Sequence, residues 1–344
     1  MKRLILVASF AYSINGFAQS DVDALRYSQT APGGTSRSMA MGSAFGALGG
    51  DISVLSTNPA GIAVYKRSEL TFTPSLQLRN TSSSYLGQTK EDSKINFNVS
   101  NLGLVFTYNN EGNENNGGWL NFNFGFGYNK QNSFHNRTNF QGFNTTSSLL
   151  NSYLERINVG PGVSPESIYD TYPFDIGMAD SVRLIYPIDN FTPYRYTSDM
   201  DANVLQKRTS TTKGSIGEMA FSFGTNYDNT LYLGATLGFT TLDYSEVSNY
   251  EELDEKDNDA YFKSFKYHQD INTTGSGFNL KLGAIYRPID WFRVGVAYHT
   301  PCFYELNDVY SANMTAYYDQ PVDSINSSTT YYSESPQGEY DYQM

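Results

Sequence analysis

At 344 residues and a formal net charge of −12, the chain repels a polyanion rather than embracing one, so nucleic acid is excluded as a partner. Its single cysteine, Cys302, and three scattered histidines rule out an internal disulfide and offer no spacing for zinc or thiol-redox chemistry. Only 39% of residues are hydrophobic, yet 28 Tyr and 22 Phe raise the aromatic share to 15%, the mixture expected of a wall with water on one side and an apolar medium on the other.

Residues 1–18 carry Lys2 and Arg3, then an apolar run from Leu4, then Gly16 and Ala18 at the small-residue positions of a cleavage site. That pattern predicts a secretory signal peptide, and fold reasoning starts near Gln19. After it no run reaches the 18 or so apolar residues that a spanning helix needs, which leaves a periplasmic protein, a secreted protein or an outer-membrane barrel.

Residues 19–67 are dominated by small side chains and read as a compact plug. Met39 to Leu48 predicts a short helix surfaced by Ala40, Gly42, Ser43, Ala44, Gly46 and Ala47 and ended by Gly49 and Gly50. It is about half the length of a bilayer-crossing helix. Asn58-Pro59-Ala60-Gly61 predicts a rigid bend: Pro59 fixes its own φ and pushes Asn58 out of the helical region, the Asn58 side chain bonds nearby amides, and Gly61 permits φ > 0.

From residue 68 onward the chain alternates. Residues 69–79 set Leu70, Phe72, Pro74, Leu76 and Leu78 against polar neighbours, which collects the apolar residues on one side of a strand. Ile95 to Tyr108 alternates with a phase shift at Ser100-Asn101, the mark of a β-bulge. Trp119 to Tyr128 opposes Leu120, Phe122, Phe124, Phe126 and Tyr128 to Asn121, Asn123, Gly125 and Gly127. Four further strands follow over 216–227, 231–241, 278–286 and 291–299. The connectors alternate in length: 109–118, 228–230 and 287–290 are short, while 80–94, 129–215, 242–277 and the stretch after Thr300 are long. Short turns at one end and long loops at the other fit an outer-membrane barrel, whereas a soluble sandwich has no reason to sort its loops.

The longest connector, 129–215, holds apolar material of its own. Ser147 to Ile157 predicts a short helix presenting Leu149, Leu150, Tyr153 and Ile157, either as the core of a lid over the barrel mouth or, in part, as contacts for an apolar ligand. Arg137, Arg156, Arg183 and Arg195 in the same loop either meet a carboxylate or form surface salt bridges. The acidic run at residues 250–260 reads as a solvated face and lacks the spacing of a calcium loop. No metal site, cofactor or catalytic residue is expected, since no G-x-S-x-G occurs and no histidine stands beside a nucleophile. Another alternation begins at Gly338. Seven complete strands are expected in all, and an eighth over Tyr310 to Tyr318 would close only a barrel too narrow for the plug.

RSMAMGSAFGALGGD followed by STNPAGIA, between a leader and a first strand, resembles the plug of the FadL/TodX family of outer-membrane transporters, in its Bacteroidetes-type form, over roughly Asp23 to Thr73. The resemblance implies an all-β antiparallel transmembrane barrel of fourteen strands, of which about seven are present over 68–344. It implies passive uptake of hydrophobic small molecules, such as long-chain fatty acids or aromatic hydrocarbons, across the outer membrane of a Gram-negative bacterium. Apolar residues of the outer loops would catch the ligand, a pocket between plug and wall would hold it, and plug movement would release it sideways into membrane lipid. Asn58, Pro59, Ala60 and Gly61 are then the plug motif, and Gly125 and Gly127 mark an irregular third strand as the side exit. A plainer reading of those two glycines is room for the plug. The alternative function is a barrel of the same type serving protein secretion, like the shuttle component of the type IX machinery, with secreted proteins as partners, or serving a structural role.

Overall fold

The computed structural model describes residues 21–30, 33–110, 117–159, 163–171, 173–189, 194–200, 203–257, 259, 261–322 and 327–344, and the leader expected over residues 1–18 lies outside them. Alternation builds one antiparallel sheet. Its strands are β1 (Glu69–Tyr85), β2 (Gln88–Asn109), β3 (Trp119–Ser133), β4 (Asn136–Asn144), β7 (Val204–Tyr227), β8 (Leu231–Leu253), β9 (Phe262–Ile289), β10 (Phe292–His299), β11 (Phe303–Tyr318), β12 (Thr330–Glu334) and β13 (Gly338–Gln343), while β5 (Tyr186–Pro187) and β6 (Tyr196–Thr197) pair apart from it. The order is β1-β2-β3-β7-β8-β9-β11-β12. Three strands continue others: β4 follows β3 along β7, β10 precedes β11 along β9, and β13 lies beside β12 along β11. Among the described residues no ladder joins β1 to the far edge, so the sheet is open.

All seven expected strands are present, but the long connectors beside them are not loops. Residues 80–94 are the continuation of β1 and β2 up to a tight turn at Leu86-Gly87, both at positive φ. Residues 242–277 are mostly the far halves of β8 and β9, paired without interruption from Leu231 to Leu253. The 129–215 connector contains the end of β3, all of β4 and the start of β7, and Tyr310 to Tyr318 lies in β11. Residues 80–94 are polar on both faces and carry no apolar phase by which a strand can be recognised, while the other stretches put their apolar residues, such as Tyr244, Phe265 and Met314, into buried cores. The bulge is where the phase shift places it: Thr73 pairs with Asn101 and Pro74 with Val99, leaving Ser100 over. Pro74 costs no ladder bond on its open side because β1 is an edge strand.

On the outward face, Leu102, Tyr128, Met219, Phe239, Phe278 and Phe303 are successive cross-strand partners from β2 to β11. On one side of that row the outward residues are apolar and exposed, among them Phe221, Leu237, Leu280 and Leu70. On the other side β7 to β11 turn polar, beginning with Gly217, Thr241, Ser276 and Glu305 in one register, while β1 and β2 stay apolar through Leu76, Leu78, Ile95 and Phe97. The apolar run on β7, Met219 to Tyr227, matches the ~9–11 residues of a tilted bilayer-crossing strand. An apolar face this continuous far exceeds the patches that water-exposed monomers tolerate. Among the described residues no helix is long and apolar enough to cross a membrane.

The plug lies on the inward face. It comprises α1 (Asp21–Ser28), α2 (Ser36–Ala40), α3 (Val54–Thr57) and a 3₁₀ turn (Pro59–Val64). The helix expected from Met39 to Leu48 does not form. The chain leaves the helical region at Gly42 and Ser43, with φ of 62° and 60°, and proceeds by hydrogen-bonded turns to Gly49. Each glycine in a helix costs about 1 kcal/mol, and this segment has too few side chains facing a partner to offset that. Phe45, Ile52, Val54, Leu55, Ile62 and Tyr65 make the plug core, closed by Val105 and Ala220 of the wall.

At the opposite end stands a lid: α4 (Leu149–Ile157), a 3₁₀ turn (Pro165–Ser167), α5 (Ile168–Thr171) and α6 (Phe174–Ser181). Burial pushes the Asp180 carboxyl on α6 up to about 6, against the pull of Arg183. The folded lid therefore binds that proton more tightly than the unfolded chain, so its stability is greatest below pH ~4 and declines as pH rises to about 6. Hydrogen exchange of residues 174–185 should show this loss of protection, on the order of 1 kcal/mol after solvent screening, and Asp180→Asn should abolish it.

Candidate functional site

The bend at Asn58 is built as its residue types require. Asn58 is extended at φ −141° and caps the 3₁₀ turn, its Oδ1 accepting from the Ala60 amide at 3.1 Å, with Pro59 in the first turn where no N–H is needed. Its Nδ2 donates to the Gly46 carbonyl at 2.5 Å and faces the Ala284 carbonyl of β9 at 3.5 Å, so one side chain holds two plug segments and reaches the wall. Gly61 departs from expectation. It does not adopt positive φ. It is small because a Cβ there would stand 2.9 Å from Val54 and 3.0 Å from Gly49 Cα, while the Gly50 amide donates to its carbonyl at 3.0 Å.

The wall receives this turn on bare backbone. Gly224, Gly234 and Gly283 are cross-strand partners on β7, β8 and β9. A Cβ on them would overlap Ile62, the Pro59 carbonyl and Asn58 respectively. Gly125 and Gly127 belong to the same floor, seating Ile62 and Leu55, and both lie within intact ladders. They make room for the plug, and β3 is not irregular where they stand. The β3 asparagines then tie the plug down: Asn123 Nδ2 donates to the Ile62 carbonyl at 2.6 Å, Asn121 Nδ2 to that of Tyr65 at 3.0 Å, and Asn129 Nδ2 to Ser56 Oγ at 2.8 Å.

Between plug and wall lies a cavity of about 760 Å³, bounded by Ser53, Ser56 and Thr57 on the plug and by Ile216, Thr240, Cys302 and Tyr304 on the wall side. At its edge is an ion pair absent from the sequence reading. Lys281 Nζ donates to Glu218, both side chains being about 95% buried, and Glu218 also accepts from Ser56 Oγ at 2.8 Å and Asn279 Nδ2 at 3.2 Å. The two residues belong to β7 and β9 and meet across β8, where Gly238 carries no side chain to block them: a Cβ there would stand 3.0 Å from Glu218. Their place on the inward phase was readable; their meeting across an intervening strand was not.

The lid residues do not line this cavity. Leu150, Tyr153 and Ile157 are buried in the lid's own core with Ile168, Ile176 and Met178, and Leu149 packs against it. A cavity of about 260 Å³ borders the same core at Leu184, Phe262 and Tyr318. The lid's anchor is Glu252, fully buried on β8, which accepts from Ser148 Oγ at 2.5 Å and the Leu149 amide at 2.8 Å at the start of α4. Arg137 and Arg156 form salt bridges with Asp92 and Asp175 at 3.2 and 3.6 Å.

One stretch of wall lacks its ladder. β2 and β3 pair from Asn109–Asn121 to Asn101–Asn129 and then part, although β2 continues to Gln88 and β3 to Ser133. Above that point single side chains reach β4 from β2 and β1, Lys94 Nζ to the Asn136 carbonyl at 3.4 Å and Thr81 Oγ1 to that of Arg137 at 2.6 Å. Asn129 and Lys130, at the foot of this seam, also line the large cavity. No family model, no curated protein and no solved structure matches the chain.

Proposed function

We propose that this chain forms the plug and wall of an outer-membrane barrel of the FadL/TodX type that carries apolar small molecules passively, long-chain fatty acids or aromatic hydrocarbons being the substrate class. The observation that carries the reading is the cavity of about 760 Å³ that lies between a small-residue plug and an inner wall whose outer face carries an apolar belt. A belt of that depth is stable against lipid tails and unstable against water. Cargo of this kind needs an apolar path because it crosses a polar leaflet slowly, and no chemistry is required of the path. The side exit moves from Gly125 and Gly127 to the seam, where no backbone hydrogen bonds need break for the β2 and β3 extensions to separate.

The test is uptake. Asn58→Ala removes the cap and the bond to Gly46, which loosens the plug by roughly 1–2 kcal/mol. The full chain in liposomes should then pass a fluorescent fatty acid severalfold faster than the unaltered protein. Native mass spectrometry of protein taken from outer membranes should find an apolar molecule bound. An empty barrel that retains a secreted protein would replace this reading with the secretion one.

A further inference from the structure

The seam between β2 and the β3–β4 break holds a second cavity, of about 360 Å³, bounded by Arg79, Arg26, Ser133, Asn136 and Glu246. Two guanidiniums, Arg26 and Arg79, outnumber the one carboxylate, Glu246, on its lining. Arg79 and Lys94 are directly opposed cross-strand partners on β1 and β2, a pairing of like charges that weakens a sheet unless something offsets it. Lys94 Nζ donates only to carbonyls, those of Thr212 at 2.7 Å and Asn136 at 3.4 Å, which leave its charge uncancelled. Lys130 is only 8% exposed and has no ion pair or hydrogen bond among the described residues. Lys94, Lys130 and Lys213 all lie within electrostatic reach of His135. The acids of the region are engaged elsewhere: Asp92 with Arg137, and Glu246 with Tyr244, Ser210 and Arg26.

Polar atoms without partners gather at the same place. Among the described residues Asn96 Nδ2 and Asn98 Nδ2, two and four residues along β2 from Lys94, and Ser133 Oγ on the cavity lining are buried without a partner, as are the acceptors Asn98 Oδ1 and Asn136 Oδ1. A protein interior carries few such groups, and each costs about 1–3 kcal/mol when left unmet. Uncancelled cations beside idle donors describe a site for an anion with several acceptor oxygens.

We propose that this seam binds a phosphate group. A phosphate monoester brings close to two negative charges and three acceptor oxygens, enough to answer Arg79 and Lys94 together and to take the amide and hydroxyl donors. A carboxylate would leave half of that charge unmet. Arg79 supplies a planar two-donor fork and Lys94 a point charge, the two forms in which proteins hold phosphate. On the outward side of the same two strands Leu76, Leu78, Ile95 and Phe97 are exposed, so the acyl chains of a membrane lipid would lie one strand's width from the site. The phosphate therefore arrives either on a lipid head group, a source that rests on the membrane reading above, or free.

Calorimetry on the full chain in a non-ionic detergent distinguishes the two, using inorganic phosphate, dihexanoyl phosphatidic acid and dihexanoyl phosphatidylcholine as probes. Phosphatidic acid should bind once per chain and at least tenfold tighter than phosphatidylcholine. Arg79→Gln and Lys94→Gln should each weaken it tenfold or more, Lys94→Arg should retain it, and Lys66→Gln at the far end of the plug should leave it unchanged. Inorganic phosphate binding as tightly as phosphatidic acid identifies the free anion as occupant, and weaker binding identifies the lipid. Phosphatidylcholine binding equally well, or a folded Arg79→Gln/Lys94→Gln double variant binding phosphatidic acid like the unaltered protein, overturns the site. Laurate titrated into the same sample reads the apolar cavity separately, so loss of one proposal is not confused with loss of the other.

Discussion

Gly234→Val should release the plug from the wall while leaving the strand that carries the substitution intact. Valine suits a strand interior better than glycine does, so β8 itself gains in propensity. The cost arises on the inward face, where a Cβ would overlap the Pro59 carbonyl and the Ala60 amide, both backbone and unable to swing aside. Overpacking of this kind costs about 1–3 kcal/mol when neighbours can shift, and more where they cannot. The turn cannot shift sideways, because Gly224 and Gly283 on the flanking strands seat Ile62 and Asn58 equally closely. Expected is rapid proteolysis at Lys66 and Arg67, which precede β1, under conditions that leave the unaltered protein whole. Gly46→Ala is the matched control: it has open space and ordinary φ, and it should change nothing. A valine variant as resistant as the parent would mean that the plug does not rest on this floor.

The second large effect is expected from Lys281→Met. The substitution leaves Glu218 buried with only Ser56 and Asn279 as donors. Breaking a buried pair from one side costs about 3–5 kcal/mol, because the remaining charge has lost its compensation. Replacing both residues, as Glu218→Gln with Lys281→Met, should recover most of that loss. The double variant must then be markedly more stable than Lys281→Met, and a double-mutant cycle from thermal unfolding of the detergent-solubilised protein measures the difference. Gly238→Val should imitate the single variant without touching either charge, since it fills the gap through which the two side chains meet. Additive single effects would show that the pair is not coupled.

Legibility followed the apolar signal. Phe221, Leu237 and Leu280 sit on strictly alternating positions, and the seven strand segments expected from such alternation are all present, whereas β11, which opens with the exposed Phe303, was not among them. The far halves of β1 and β2 read as loops because polar residues on both faces leave no period to detect, and those of β8 and β9 because their apolar residues, such as Tyr244 and Phe265, are interspersed with Asp, Glu and Lys. The Asn58 bend was legible because its effect is local, a side chain bonding an amide two residues on. The reason for Gly61 was misjudged because it lies in Val54 and Gly49, neighbours in space rather than in the turn.

The sequence by itself determined the antiparallel alternating wall, the bulge at Ser100 and the capped turn after Asn58, all of which depend on residues within one or two turns or pleats of one another. Only the tertiary structure decided that Gly125 and Gly127 seat Ile62 and Leu55, that Glu218 reaches Lys281 past Gly238, and that Arg79 stands opposite Lys94 beside a stretch of wall where β2 and β3 do not pair. Those outcomes depend on register between strands far apart in the chain, where a shift of one residue would turn each of these side chains to the opposite face.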